Sequence, residues 1–326
     1  MKAAVYRPAV VRIQEVERPT PKKNEVLVRV CASTVCAADY RLKTVPYALG
    51  WLIGLWRSNK TTILGMELAG TVESIGPGAS RFRAGDLVFG GTGFRFGAHA
   101  EYACVPENQL EVKPFNMNLE ESAAVAFGGL TSLYFLRKAR IHAGQNVLVY
   151  GASGSVGIFA MQLAKHFGAR VTGVCSTANV ELVQSLGADH VVDYTKEDFS
   201  RAGRVYDMIV DTVGKAGVSR TLKALKRGGP IVGIGVDGAT ISRVLLSILR
   251  VLPVEVWLSL SGAAKPVGGV TKPAPGDLAF LKALIEDGQL KTVIDRCYPL
   301  ERIEEAHQYA AAGHKKGHVV IRVATA

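Results

Sequence analysis

The segment VLVYGASGSVGIFAMQLAKHFGA, residues 147–169, is the most informative part of this chain about its architecture. An apolar run rich in valine leads directly into a glycine-rich turn that extends from Gly151 to Gly157. The segment after the turn carries apolar residues at the 3.6-residue period of an amphipathic helix. A strand, a glycine turn and a helix in this order are typical of the first unit of a dinucleotide-binding domain.

The turn itself suits a pyrophosphate group. Gly154 lets the backbone approach the phosphates, and Gly157 allows the helix to pack closely on the strand. The N-terminus of the helix offers unpaired N–H groups and the positive end of the helix dipole. In the register of the G-x-G-x-x-G fingerprint, Ala152 replaces the first glycine. We expect the cofactor to contact all residues of the turn, which are Gly151, Ala152, Ser153, Gly154, Ser155, Val156 and Gly157.

The end of the next predicted strand distinguishes the two nicotinamide cofactors. An NAD site needs an acidic side chain about 20 residues beyond the fingerprint, which accepts from the ribose 2′-hydroxyl. Ser176 and Thr177 stand there instead, and their hydroxyl groups leave room for a 2′-phosphate and can donate to it. The sequence therefore predicts NADPH over NADH. No basic residue follows at once; Lys196 and Arg201, the nearest downstream candidates, are more typical of solvated charges.

From residue 118 onward, strand-like and helix-like segments alternate. Such alternation indicates a doubly wound parallel sheet with helices on both faces, an α/β fold. Residues 1–117 instead hold short β-rich runs between glycines and prolines, which predicts a small barrel or sandwich. The strands of the parallel sheet are predicted at Asn146–Tyr150, Arg170–Cys175, His190–Asp193, Met208–Asp211 and Pro230–Ile234, with helices at 118–139, 155–168, 179–186 and 215–227.

Composition excludes several classes of protein. With 326 residues, 48% of them hydrophobic and 21% charged, the chain is globular and long enough for two domains. Five dispersed cysteines without a Cys-x-x-Cys pair argue against a disulfide framework and fit a reducing compartment. No signal peptide and no membrane-spanning run is expected, so we predict a cytoplasmic protein. The net charge of +11 favours anionic partners, but scattered basic residues argue against nucleic acid.

Over essentially its whole length the chain resembles the zinc-independent, quinone oxidoreductase-like branch of the medium-chain dehydrogenase/reductase superfamily. The motifs that carry the resemblance are LGMELAGTVESIGPGASRFRAGDLVFG (64–90), YGASGSVG, LGADHVVDY, VDTVG and GHVVIRV. The resemblance implies a GroES-like β domain formed by residues 1–117 and 265–326. This domain is split around a Rossmann domain of residues 118–264, and the active site lies in the cleft between them. It also implies cofactor contacts at Thr131, Tyr194, Val213, Gly233, Ile234 and Gly235.

The zinc members of this superfamily hold a catalytic zinc through a cysteine, a histidine and usually a second cysteine. Cys36 matches the first ligand, but Met66 replaces the histidine and Phe127 stands at the third position. One thiol cannot hold tetrahedral zinc, which needs three protein ligands even in an open site. We therefore predict no metal.

Without a Lewis acid, hydride transfer to an acceptor that is already electrophilic is favoured. The sequence thus predicts an NADPH-dependent reductase of a small hydrophobic quinone or activated alkene. Three alternatives stay open: an enoyl-thioester reductase, a ketone reductase of the alcohol dehydrogenase type, and a non-catalytic, membrane-associated NADPH-binding scaffold.

The substrate side is less specified. Tyr40 or Tyr47 could bind a carbonyl oxygen and relay a proton, with ordinary packing as the competing interpretation. Cys36 is expected to form a small wall of the active site rather than to act as a nucleophile. His99 is expected to be structural.

Two apolar segments, 45–56 and 244–260, complete the prediction. The first is expected to line a hydrophobic substrate mouth. The second is expected to lie in the core or at the edge of the sheet, pairing with a two-fold copy in a homodimer around Val254, Val256 and Leu258. The alternative is a peripheral membrane contact, since tryptophan, leucine and arginine occur together in both segments.

Overall fold

The computed structural model describes residues 1–7, 10–45, 62–234, 253–254 and 256–324. The strands of these residues are β1 (Lys2–Arg7), β2 (Val10–Glu15), β3 (Glu25–Thr34), β4 (Thr62–Ile63), β5 (Glu67–Ile75), β6 (Leu87–Gly91), β7 (Tyr102–Pro106), β8 (Leu110–Val112), β9 (Asn146–Tyr150), β10 (Arg170–Cys175), β11 (His190–Asp193), β12 (Met208–Asp211), β13 (Pro230–Gly233), β14 (Lys265–Val267), β15 (Ile294–Pro299) and β16 (His318–Arg322). The α-helices are Ala37–Leu42, Leu119–Ala123, Ala126–Lys138, Gly157–His166, Val180–Ser185, Val218–Ala224, Asp277–Glu286 and Ile303–Ala311.

The central strand of the parallel sheet is β9, which is buried on both faces. Val147 and Val149 pack into one hydrophobic core, and Leu148 packs into a second core across the sheet. The sheet has the order β11-β10-β9-β12-β13-β14. Counted from β9, this is the order 3-2-1-4-5-6 of a Rossmann domain. The predicted α/β fold is confirmed, and each of the five predicted strands is found within one residue of its expected bounds.

The second sheet joins the two ends of the chain. Its order is β15-β16-β3-β5-β6-β8, with β7 also paired to β3. Strand β16 runs antiparallel to β3, with Val320 opposite Thr34. The GroES-like β domain is therefore completed by the last strand of the chain, as the resemblance implies.

Residues 265–286 belong to the Rossmann domain in the structure. The sequence analysis expected the second part of the β domain to begin at residue 265. Strand β14 pairs in parallel with β13 and is the sixth strand of the Rossmann sheet. The helix Asp277–Glu286 buries Leu281 and Leu284 in the core that the sheet shares with its helices. Asp277 also pairs with Arg137 at 2.5 Å. This boundary was not visible in the sequence because β14 is three residues long and contains a proline.

Two further predictions are corrected. The single helix expected at 118–139 is two helices, Leu119–Ala123 and Ala126–Lys138, although Asn118 caps the first one as expected by accepting from the N–H of Glu121 at 2.9 Å. Residues 256–261 are helical rather than an edge strand. Leu258 is buried on this helical segment, whereas Val256 is 58% exposed. The other residues of the segments 45–56 and 244–260 lie mostly outside the described part of the chain.

A buried polar network anchors β1 to the rest of the β domain. The Tyr6 hydroxyl lies 2.9 Å from His99 Nδ1 and 2.7 Å from His307 Nε2. His99 Nε2 donates to the carbonyl oxygen of Thr34 at 2.9 Å. Since a carbonyl can only accept, Nδ1 of His99 accepts from Tyr6, and Tyr6 in turn accepts from His307. Burial lowers the pKa of both histidines and keeps them neutral, so His99 has the structural role expected of it.

Candidate active site

The residues expected to bind the cofactor meet at one edge of the parallel sheet. In the strand register Tyr150 lies beside Val174 on one side and Asp211 on the other. The segments that follow these strands therefore emerge side by side, at the carboxyl edge where ligands bind in doubly wound sheets. Gly151 follows β9 and Ser176 follows β10; Val213 and Ile234 lie just beyond β12 and β13.

The three glycines of the turn have different surroundings. A Cβ atom on Gly157 would lie 2.1 Å from the carbonyl oxygen of Gly151, and one on Gly151 would lie 2.4 Å from Cγ2 of Val213. Gly151 also has a φ of +80°, which favours glycine. A Cβ atom on Gly154 would have one contact within 4 Å among the described residues, with the carbonyl oxygen of Gly151 at 3.4 Å. Gly151 and Gly157 thus serve the fold, and Gly154 leaves open space over the helix N-terminus that a pyrophosphate can fill.

The turn is fixed from β12 by residues to which the sequence analysis gave no role. The Thr212 hydroxyl donates to the carbonyl oxygens of Tyr150 and Gly151, at 2.9 and 3.3 Å. The carboxylate of Asp211 accepts from the N–H groups of Val213, Gly214 and Ala216 at 2.8–2.9 Å. The motif VDTVG carried this information, since a carboxylate at a strand end commonly organises the backbone of the loop that follows it.

Asp193 is a charged residue of the adenosine side that the sequence analysis missed. It ends β11 and lies opposite Cys175 in the register, beside Ser176 and Thr177. Its carboxylate accepts from the hydroxyls of Thr177 and Thr195 at 2.5 and 2.7 Å, and these hydrogen bonds, the one from Thr177 foremost, lower its pKa to about 2. Lys196 lies 3.6 Å away. Side chains of the protein therefore supply the hydrogen bonds and the positive charge that this carboxylate needs.

Asn179 connects the turn to the end of β10. Its Nδ2 donates to the hydroxyls of Ser153 at 2.9 Å and Ser176 at 3.3 Å. Its Oδ1 is buried and has no hydrogen-bond partner within the described parts of the chain. A buried acceptor without a partner is costly, and a ribose hydroxyl at this point would satisfy it. Tyr194 adds an aromatic ring that is 49% exposed and stacks on Tyr150 with ring centres 6.5 Å apart. These groups fit an adenosine moiety.

Across the cleft, Cys36 begins the helix Ala37–Leu42. Its N–H donates to Asp39 Oδ2 at 2.8 Å, and Asp39 Oδ1 accepts from the N–H of Gly65 at 3.0 Å. The thiol is buried, and burial raises its pKa well above the usual value. A neutral, buried thiol is a poor nucleophile, and the wall role of Cys36 stays a prediction.

Glu67 is a second buried acid that the sequence analysis did not single out. Its carboxylate accepts from the Thr34 hydroxyl and, at 2.6 Å, from the N–H of Phe127. Burial, opposed by these hydrogen bonds, raises its pKa to about 7. Phe127, at the third ligand position of the zinc members, thus contributes its backbone to this contact. In the ranges that the structure covers, no group of three or more His, Cys, Asp or Glu side chains could hold a metal ion.

Lys315 lies where the two domains touch. The N–H of Gly317 donates to the carbonyl oxygen of Ser153 at 2.8 Å, and Gly317 bridges Gly154 of the turn. Nζ of Lys315 donates to the Gly317 carbonyl at 2.5 Å. Burial lowers the pKa of Lys315 to about 8, while the nearby Cys36 and Glu67 act in the opposite direction. In the sequence, two adjacent lysines before the last strand resemble an ordinary surface pair.

The other predicted site residues divide into four groups. Tyr40 is partly buried and packs against the hydrophobic core of the β domain. Thr131 is buried on the helix Ala126–Lys138, and its hydroxyl lies 3.5 Å from that of Thr271. Gly233 and Ile234 lie at the end of β13. Tyr47 and Gly235 lie outside the described residues.

These features define an oxidoreductase with a Rossmann domain and a GroES-like domain around one cleft. Residues 22–115 match the alcohol dehydrogenase GroES-like domain family, and residues 186–321 match the zinc-binding dehydrogenase family. In the described part of the chain, no helix has the length and hydrophobicity that crossing a membrane requires.

Individual proteins that are similar in sequence or structure are also oxidoreductases of this kind. The 2-methylene-furan-3-one reductase of Solanum lycopersicum is 30% identical over 319 residues, which cover 93% of this chain and 73% of that protein. The chloroplastic NADPH-dependent alkenal/one oxidoreductase of Arabidopsis thaliana is 29% identical, with 93% and 73% covered. The quinone oxidoreductase structure from Coxiella burnetii superposes with a TM-score of 0.81 at 26% identity, covering 99% of this chain and 98% of the other. The chain belongs to the medium-chain dehydrogenase/reductase family, among the quinone and alkenal oxidoreductases.

The different surroundings of the glycines give a testable pair. Gly157→Ala should destabilise the protein by several kcal/mol, because its Cβ would overlap the backbone of Gly151. In Gly154→Ala the free energy of unfolding should stay within about 1 kcal/mol of that of the unmodified protein. The variant should bind the dinucleotide at least about tenfold more weakly, because the methyl group occupies the space of the phosphates. Denaturant unfolding and a fluorescence titration measure the two effects. Unchanged affinity in Gly154→Ala would show that the phosphates bind elsewhere.

Proposed function

We propose that this protein is an NADPH-dependent reductase that transfers hydride to a quinone or to an alkene conjugated to a carbonyl group. The observation that carries the proposal is the contact between Gly317 and the turn at Ser153 and Gly154. It joins the turn to the segment that carries Lys315, and Glu67 lies close enough to influence the pKa of Lys315. A dinucleotide bound over Gly154 would therefore extend into a cleft that holds groups able to orient and polarise a carbonyl compound.

The acceptor class follows from the residues of that cleft. Met66 and Phe127 stand at the histidine and cysteine positions of the zinc members, so the chain does not provide their Lewis acid. When bound, the reduced nicotinamide supplies a hydride. Quinones and enones accept hydride readily without a metal, whereas simple alcohols and ketones depend more on polarisation of the oxygen. The relatives from tomato and Arabidopsis are named for reactions of this class, which supports the choice.

We also propose that the protein prefers NADPH to NADH. Ser176 and Thr177 at the end of β10 carry no charge that would repel a 2′-phosphate. Asp193, the nearest carboxylate in the strand register, is held by Thr177, Thr195 and Lys196. The Ser176 hydroxyl accepts from Asn179 and keeps its own proton for a phosphate oxygen.

A substrate screen tests the reaction. NADPH oxidation is followed with a quinone, an enone, an enoyl thioester and a simple ketone as acceptors, each with and without a strong chelator. We expect turnover with the quinone or the enone, at rates that the chelator leaves unchanged. Turnover of the ketone alone, or loss of activity on chelation, would favour the alcohol dehydrogenase alternative. Tight NADPH binding without turnover of any acceptor would favour the scaffold alternative.

The cofactor preference has its own test. NADPH should bind at least about tenfold more tightly than NADH, and Ser176→Asp should abolish or invert this ratio because its carboxylate repels the 2′-phosphate. Ser185→Asp adds the same charge at an exposed position of the helix Val180–Ser185 and is the matched control. Equal affinity of the unmodified protein for both cofactors contradicts the proposal.

We also propose that two copies pair at the β14 edge of the Rossmann sheet. Val256, Trp257 and Leu260 are 58%, 55% and 84% exposed, and they lie close in sequence to β14, the last strand of the sheet order. Exposed apolar side chains next to a sheet edge are typical of an interface between copies.

The pairing is tested by light scattering. We expect a dimer for the unmodified protein, and a monomer for Val256→Asp because a charge would be buried in the interface. Val218→Asp, on an exposed position of another helix, should stay dimeric. If the unmodified protein is a monomer that co-sediments with anionic vesicles, the membrane alternative replaces the dimer.

A further inference from the structure

Reduction of an enone or a quinone needs a proton as well as a hydride. Hydride transfer leaves negative charge on the carbonyl oxygen, and a general acid that donates to this oxygen lowers the barrier. The donor must lie in the cleft beside the nicotinamide end of the dinucleotide. It must also hold a proton near neutral pH and be able to release it.

Three groups near the cleft meet these conditions poorly. The Cys36 thiol has a pKa well above the usual value because it is buried, so it releases its proton too reluctantly. Tyr40 packs its ring into the core of the β domain, and burial raises its pKa as well. Glu67 points both carboxylate oxygens at the protein, one at the Thr34 hydroxyl and the other at the N–H of Phe127.

Lys315 meets the conditions on holding and releasing a proton, and the backbone that it contacts is bonded to the turn that positions the dinucleotide. Its ammonium group is held over the carbonyl of Gly317, and the N–H of Gly317 is bonded to the phosphate-binding turn at Ser153. The ammonium is therefore fixed relative to the turn that positions the dinucleotide. Its remaining N–H groups have no acceptor assigned among the described residues, which leaves them available to a substrate oxygen.

The charges around Lys315 explain why it can release a proton. Glu67 and Asp295 favour its protonated form, and His318 faces it as a buried neutral ring. Burial outweighs these two acids and lowers the pKa of Lys315 to about 8. An ammonium with this pKa is mostly protonated at neutral pH and is a much stronger acid than a solvated lysine.

We propose that Lys315 is the general acid of the reaction and protonates the carbonyl oxygen of the acceptor. This inference rests on the proposed function. In an enone, hydride reaches the β-carbon while an N–H bond of Lys315 breaks and an O–H bond forms, giving the enol, which tautomerises to the saturated carbonyl compound. In a quinone, the hydride and the proton from Lys315 end on the two carbonyl oxygens, giving the hydroquinone. The neutral amine then takes a proton from water, and the overall reaction consumes one NADPH and one proton for each acceptor.

The main test compares Lys315→Met with Lys316→Met in steady-state assays with the acceptor that the unmodified protein reduces. Lys315→Met should lower kcat by about 10²- to 10⁴-fold, the usual contribution of a general acid, while the Kd for NADPH changes by less than about threefold. Lys316 is exposed, and its substitution should leave both constants unchanged. If Lys315→Met retains full kcat, the general-acid role is wrong even though the proposed function stands.

The pH profile supplies a readout that a merely structural role would not move. For the unmodified protein kcat should fall as the pH rises through about 8, because the ammonium that donates the proton is lost. Lys315→Arg should keep a donor of higher pKa, so the alkaline limb should move to higher pH or vanish. A limb that stays in place in Lys315→Arg would assign the titration to another group.

A measurement independent of turnover completes the test. Acylation of Lys315 by an amine-selective reagent, quantified by peptide mass spectrometry as a function of pH, should titrate near the same value. Bound NADP⁺ should slow this labelling at Lys315 but not at Lys316. Absence of protection would place Lys315 away from the dinucleotide and overturn the proposal. Failure of every acceptor in the screen would instead overturn the proposed function, and the general-acid role with it.

Discussion

The close approach of two backbone segments at Gly151 and Gly157 is the constraint on which the rest of the site depends. No side chain fits between the start of the helix Gly157–His166 and the carbonyl of Gly151, because a Cβ atom on Gly157 would lie 2.1 Å from that oxygen. Thr212 then joins the loop after β12 to the end of β9, and Asp211 orders the loop after β12 itself. The turn is therefore rigid before any cofactor binds, which reduces the entropy cost of ordering it.

The second constraint is the contact that joins the domains. The backbone of Gly317, just before β16, bonds to the turn, and β16 itself lies between β15 and β3 in the GroES-like sheet. The short segment at Gly317 therefore fixes the distance between the glycine turn and the GroES-like sheet. A Cβ on Gly317 would lie 2.1 Å from the carbonyl oxygen of Val293, so this position too admits only glycine.

Burial at this junction changes the acid–base properties of ordinary residues. Glu67 titrates near 7 and Lys315 near 8, in each case mainly because the charged form loses its water. In the zinc members the same region holds a metal; here it holds a carboxyl, a thiol and an amine. Groups with opposite shifts in one cleft are suited to proton transfer at neutral pH.

The Rossmann sheet, the glycine turn and the family were predictable from the residues alone, because they depend on local patterns: alternation of apolar residues, glycines at fixed spacing, and a capping asparagine at Asn118. The substitutions at Met66 and Phe127 were equally visible, since a ligand is recognised by its residue type. Three features required the folded chain: the extension of the parallel sheet by 265–267, the helical conformation of 256–261, and the position of Asp193, Glu67 and Lys315 near the candidate site. Each of these depends on contacts between residues far apart in the chain. The pKa of Lys315 is lowered mainly because burial removes water from the ammonium group. Which side chains bury one another cannot be read from the spacing of residues in the sequence.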